Sequence, residues 1–179
     1  MKILVITGGI GSGKSAVSRI LMKKGVPVYD CDSRVKGIYG THPELRAMVT
    51  EDLFSNPQRL DDLEKALFPV LMSDFRNWAE AAGTEWVAME SATILDKEYF
   101  DDFPDKVIFV DAPVRTRLQR VLSRGGISEK SILERMALQS ASPSDPRVDF
   151  VIENDSTFGD LELKVEEILN RIYYGKRKN

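Results

Sequence analysis

Cysteine and histidine are almost missing from this chain. Cys31 is the one cysteine and His42 the one histidine among 179 residues. A lone cysteine excludes an internal disulfide and fits a reducing cytoplasm. His42 falls in a Thr41-His42-Pro43-Glu44 segment with capping-box spacing, so it reads as a surface residue at a helix start. No apolar run reaches the length of a membrane span. One lysine precedes the first apolar run, and no charged leader with a cleavable apolar core is expected. A strong positive charge is lacking too. The net charge is −3, and nothing in that total suggests a nucleic-acid partner. The Lys176-Arg177-Lys178 tail reads as solvated. Neither an internal repeat nor a low-complexity linker divides the chain. Its length suits one domain, or one with a small inserted lobe, and can bury a substantial core. The 42% apolar and 30% charged content is ordinary for a soluble globular protein.

What the chain does have is Gly8-Gly9-Ile10-Gly11-Ser12-Gly13-Lys14-Ser15. This stretch fits the phosphate-loop pattern G-x-x-x-x-G-K-[ST] at every fixed position. Before it, Ile3-Leu4-Val5-Ile6 reads as a buried strand; after it, Val17, Ile20 and Leu21 recur at helical spacing. In strand, glycine loop and helix, backbone N–H groups of Gly9 to Ala16 can turn around a polyphosphate, and the helix adds its positive dipole end. Lys14 would reach the β- and γ-phosphates of ATP, and Ser15 would offer its hydroxyl to magnesium, Mg²⁺.

The rest of the chain alternates strand and helix. The first helix should stop at Gly25. Val26 to Tyr29 reads as a second strand, Glu85 to Met89 as a third, Lys106 to Val110 as a fourth and Asp149 to Ile152 as a fifth. Five such strands imply a parallel sheet covered on both faces by helices. Between strands two and three, Leu60, Leu63, Leu67, Leu71, Phe75 and Trp78 mark a helical block, in which Pro69 predicts a kink or break. Residues about 37–83 form the natural inserted lobe. A basic helix carrying Arg115, Arg117, Arg120 and Arg124 ends at Gly125-Gly126. Ser128 then caps a helix carrying Arg135 and running to Gln139. Asp160 to Tyr174 reads as an amphipathic last helix.

Three groups bear on the chemistry. Asp30-Cys31-Asp32 follows strand two, at the sheet edge where α/β folds bind ligands. An aspartate there can serve as base or orienting group for an acceptor hydroxyl. Read as extended chain, the two carboxylates point to one side. The alternative is that both cap a helix starting near Ser33. Glu90, ending strand three, could hold Mg²⁺ through water, with Asp111 after strand four as its competitor. The two arginine-bearing helices joined by glycines have the layout of a mobile lid over about 114–147, closing on transferring phosphates.

With these residues in view, the chain resembles the dephospho-CoA kinase family from Ile3 to about Asn154. The most specific pieces are Thr7 to Ser15, Gly25 to Asp32, and Arg135-Met136-Ala137-Leu138-Gln139, with Asp149 to Asn154 similar to the family's closing strand. Asp74-Phe75-Arg76-Asn77-Trp78 and Met89-Glu90-Ser91-Ala92 look like the version in bacterial relatives. The resemblance implies an α/β P-loop kinase of the nucleoside-monophosphate-kinase type, with sheet order 2-3-1-4-5, a helical substrate lobe and an arginine lid. It implies ATP-dependent phosphorylation of the ribose 3′-hydroxyl of dephospho-CoA in coenzyme A synthesis. It places Asp32 as catalytic aspartate with Asp30 as its partner, and Arg120, Arg124 and Arg135 as lid arginines. Glu90 matches the acid after strand three, and Asn154 falls in the loop near the adenine. Departures are a shorter chain between His42 and Phe68, Phe68-Pro69 for the family's His-Pro, Thr93-Ile94-Leu95-Asp96 for Leu-Leu-Phe-Glu, and Arg124-Gly125 for Arg-Asp.

Two other readings stand beside this one. The first is a related small-molecule or nucleotide kinase with an altered acceptor site. The second is a nucleotide-binding regulatory protein with little turnover. A GTP switch would want N-K-x-D, which does not occur, and Asp111-Ala112-Pro113-Val114 lacks the switch glycine. Oligomeric state has no signature in the sequence.

Overall fold

β-Branched, apolar stretches become the strands of one sheet. They are β1 (Lys2–Thr7), β2 (Val28–Asp30), β3 (Trp86–Glu90), β4 (Lys106–Asp111) and β5 (Phe150–Glu153). In this computed structural model, which describes residues 1–96, 103–126 and 128–175, they lie in the order β2-β3-β1-β4-β5. The Lys176-Arg177-Lys178 tail lies outside the described residues. β1 pairs in parallel with β3 (Ile6 opposite Glu90) and with β4 (Thr7 opposite Phe109), and β4 pairs in parallel with β5. Central strands buried on both faces need unbroken apolar runs, and Leu4, Val5 and Ile6 are each at most 1% exposed. The register brings the C-terminal ends of β1, β3 and β4 to one edge.

Two helices cover one face of this sheet. From α1 (Lys14–Lys23) come Val17, Ile20 and Leu21. Leu161, Val165, Ile168 and Leu169 come from α7 (Phe158–Tyr174), and both sets pack on Leu4, Ile6, Ala88, Ile108, Val110 and Ile152. Each buried aliphatic side chain contributes about 1.5–3 kcal/mol. α1 ends at Lys23 with Lys24 as its C-cap, and Gly25 follows at positive φ, as the glycine suggested. α7 starts earlier than its apolar pattern does. The Thr157 hydroxyl accepts from the Asp160 N–H, and Asp160 Oδ2 in turn accepts from the Thr157 N–H, a reciprocal capping box. The Thr157 hydroxyl also holds the Asp160 carboxyl below the usual carboxylate range.

Two compact units divide the chain. One joins residues up to Val28 with those from Thr84 onward, and the other is Tyr29–Gly83. The second contains α2 (Cys31–Thr41), α3 (Pro43–Ala47) and α4 (Pro57–Ala82). Here two expectations need correction. The Thr41 hydroxyl donates back to the Ile38 carbonyl, and the N-cap of α3 is His42, whose side chain makes no capping bond, so the capping box does not form. Of the kink or break expected at Pro69, the break does not occur, because α4 runs unbroken for 26 residues. An interior proline costs about 3 kcal/mol. The buried stripe Leu63, Leu71, Met72, Phe75 and Ala79 outweighs it.

Within this unit Tyr29 is fully buried. Its ring meets Phe75 edge-on at 5.2 Å and Trp78 at 5.3 Å. Phe75→Ala should therefore lower the unfolding free energy by about 3–5 kcal/mol in urea titration. A loss below about 1 kcal/mol would show that this cluster does not hold the unit together.

Candidate active site

The turn after β1 is set by what lies behind it. Asn154, buried just past β5, donates from Nδ2 to the Ser12 carbonyl at 2.7 Å. Arg120, in α5 (Val114–Leu122), donates from Nη1 to the same carbonyl at 3.2 Å and from Nη2 to the Asn154 carbonyl at 2.9 Å. Gly13 then caps α1 at φ 108°, where L side chains are strained, and a Cβ there would fall 2.1 Å from Asn154 Nδ2. With Ser12's carbonyl drawn aside, the N–H groups of Gly11, Gly13 and Ser15 have no acceptor among the described residues. Unpaired N–H groups at the positive end of a helix form a cradle for an anion.

Lys14 curls over this loop. Its Nζ donates to the carbonyls of Gly8 at 2.9 Å and Gly9 at 3.3 Å. Ser15 Oγ donates to Glu90 Oε1 at 2.9 Å, and Ser18 Oγ to Glu90 Oε2 at 2.6 Å. Asp111 instead spends Oδ1 on the Ala112 N–H at 2.9 Å. Glu90 is thus the acid beside the Ser15 hydroxyl. Among the described residues no group of three or more histidine, cysteine or acidic side chains could hold a metal. The Ser15–Glu90 pair is a sparse oxygen set, and it fits Mg²⁺, which keeps water and phosphate oxygens as most of its ligands.

The remaining arginines are placed differently. Arg124 lies exposed just past α5, and Arg135 is exposed in α6 (Glu129–Ala137), which Ser128 caps through its hydroxyl. Gly125 and Gly126, both at positive φ, lie between the two helices. Two residues that the sequence reading did not select also meet the loop. Gln139 Oε1 accepts from the Ile10 N–H at 2.8 Å. The Arg117 guanidinium lies against Gly9. Periodicity could mark Arg117 as one of four basic residues, but not which face of α5 met the loop.

In the Tyr29–Gly83 unit the two aspartates separate. Cys31 opens α2, so the extended geometry expected for Asp30 and Asp32 is not present. Asp30 is the N-cap. Its Oδ1 accepts from the Ser33 N–H at 3.2 Å and its Oδ2 from the Ser33 hydroxyl at 2.9 Å. Asp32 falls in the first helical turn, exposed, with no side-chain hydrogen bond or ion pair among the described residues. Residues two apart on a helix do not face each other, so the carboxylates part. Just before the cap, the Tyr29 hydroxyl donates to Asp74 Oδ2 at 2.6 Å. Burial, reinforced by that bond, pushes its pKa above the ordinary tyrosine value and keeps it a donor.

Gly13→Ala tests the loop geometry. The added Cβ combines strain with a clash against Asn154, a cost of roughly 1–3 kcal/mol in backbone terms alone. Calorimetry should register weakened or lost nucleotide binding together with a lower melting temperature. Unchanged binding would mean that the glycine is not needed for the cradle.

Comparison with known proteins adds an independent finding. A model of the dephospho-CoA kinase family matches residues 2–45 and 42–160. A dephospho-CoA kinase from Porphyromonas gingivalis is 39% identical over 158 residues, covering 78% of this chain and 78% of that protein. The crystal structure of TT1252 from Thermus thermophilus aligns with a TM-score of 0.74 at 26% identity, covering 99% of this chain and 98% of that one. Dephospho-CoA kinase from Campylobacter jejuni aligns at 0.65 with 18% identity, covering 98% and 99%, which shows the fold. On the family match and the relative that shares over three quarters of its length, this chain belongs to the dephospho-CoA kinase family.

Proposed function

We propose that the chain transfers the γ-phosphoryl group of ATP to the ribose 3′-hydroxyl of dephospho-CoA, giving coenzyme A. The observation that carries this reading is an intact phosphate cradle, with Lys14 on the loop and Glu90 on Ser15, in a chain of this family. An altered acceptor or a purely regulatory role finds no comparable support.

The roles follow from the chemistry of each group. Backbone N–H groups from Gly9 to Ala16 hold the donor phosphates, and Lys14 leaves the Gly8 and Gly9 carbonyls to meet them. Mg²⁺, when bound, neutralises phosphate charge during transfer. Ser15 would hold it directly and Glu90 would orient Ser15 and a bound water. Arg120 braces the loop through Ser12, with Asn154 behind it near the adenine. Arg124 and Arg135, on the lid of about 114–147, supply charge when the lid closes. The Tyr29–Gly83 unit serves as the acceptor lobe. Asp32 there accepts the proton of the 3′-hydroxyl, because its carboxylate is uncommitted whereas Asp30 is engaged in capping. The cytoplasm is the compartment that the lone cysteine suits.

Asp→Asn is the discriminating substitution, because Asn caps a helix about as well as Asp. With saturating ATP and dephospho-CoA, Asp32→Asn should lose about 10²–10⁴-fold in turnover. Its melting temperature and ATP affinity should stay near the parent's, and Asp30→Asn should be the milder lesion. Normal turnover by Asp32→Asn, or a dead Asp30→Asn, would overturn the assignment of the base. Lys14→Ala should abolish turnover with the fold intact, since its contacts strengthen as charge redistributes over the transferring group. An active Lys14→Ala protein would contradict the assignment of the loop as donor site.

A further inference from the structure

The structure points to a residue of the donor site that neither the phosphate-loop pattern nor the family resemblance names. We propose that Arg117 is a ligand of the nucleotide's terminal phosphate and sets a preference for nucleoside triphosphate over diphosphate. This rests on the reading of the loop as the ATP site.

Arg117 covers the leading edge of the loop. A Cβ built on Gly9 would fall 1.8 Å from its Nη1 and 2.9 Å from its Cζ, so only glycine admits the guanidinium there. The same stretch of backbone receives Lys14, whose Nζ bonds to the Gly8 and Gly9 carbonyls. A lysine of this motif reaches the β- and γ-phosphates, whereas the N–H groups towards the helix cradle the α- and β-phosphates. Arg117 therefore sits at the end where the terminal phosphate lies.

Its charge is also unanswered. Arg117 is partly buried, and its Nε is inaccessible with no hydrogen-bond partner. Its side chain makes no hydrogen bond or ion pair among the described residues. Withdrawing the Nε edge of a guanidinium from water without a partner is costly, and a phosphate is the counter-charge that its planar fork fits. The neighbours do not supply that counter-charge. Gln139 Oε1, 3.5 Å from the same Gly9 point, is neutral and accepts from the Ile10 N–H. Arg120, one turn on, is spent on the Ser12 and Asn154 carbonyls.

The test is calorimetric titration of ATP and ADP without acceptor, on the parent chain, Arg117→Gln and Arg117→Lys. Arg117→Gln should weaken ATP by roughly tenfold or more and ADP by less than about threefold, the scale of a lost charge-assisted hydrogen bond. Arg117→Lys, which keeps the charge but loses the fork, should fall between. The ratio of the two affinities is the readout, because partial unfolding lowers both alike. If Arg117→Gln does not fold, the ratio in Arg117→Lys decides. An unchanged ratio, whether both affinities stay or both fall together, overturns the proposal. No acceptor is present, so failure to phosphorylate dephospho-CoA would leave this result standing, and an unchanged ratio would leave the proposed reaction standing.

Discussion

The Ser12 carbonyl is the point on which the donor site depends. It accepts from Asn154 at the end of β5 and from Arg120 in α5, two elements far along the chain. With that carbonyl held, the N–H groups of Gly11, Gly13 and Ser15 are left without an acceptor among the described residues, and unpaired N–H groups at a helix N-terminus suit an anion. The glycines follow from this arrangement more than from flexibility. Side chains crowd the loop so closely at Gly9 and Gly13 that a methyl group at either would displace an arginine or an asparagine. The loop is thereby tied to the packing of the sheet's far edge, because Asn154 directly follows β5, which is paired in register with β4.

Carboxylates show how placement divides labour among like groups. Four acids lie at or just past the ends of β2, β3 and β4: Asp30, Asp32, Glu90 and Asp111. Asp30 caps a helix, Asp111 closes a turn, and Glu90 bridges two serines of α1. Asp32 alone among these four has no side-chain hydrogen bond within the described residues. A carboxylate occupied by N–H or hydroxyl donors has fewer lone pairs left to accept from a substrate hydroxyl than an uncommitted one. Like groups thus cap a helix at one place, close a turn at a second, bridge two serines at a third and stay uncommitted at the fourth.

The strands, the loop and the two arginine-bearing helices were legible because each has a strong local signature: β-branched runs, fixed glycine spacing, and glycines closing amphipathic stretches; the strand order 2-3-1-4-5 came from the family resemblance alone. The placement of Glu90 rather than Asp111 beside Ser15 was not legible. It depends on β3 lying next to β1, which brings Glu90 level with Ile6. The boundary of α2 was misjudged because Tyr29-Asp30-Cys31-Asp32 has no periodicity that separates a strand end from a first helical turn. Only the Asp30–Ser33 cap decides it. Thr41 to Glu44 shows the converse, a pattern with correct spacing whose threonine is already spent on the preceding helix. Arg117 and Gln139 were passed over because contacts across more than a hundred residues leave no local trace.

The most direct test of the account is the position of the phosphate in the product. The purified chain should be incubated with ATP, Mg²⁺ and dephospho-CoA, and the product examined by phosphorus–proton NMR. The account requires a new phosphomonoester coupled to the ribose 3′ proton, formed in step with ADP. ADP release without that ester, or an ester at another hydroxyl, would contradict it.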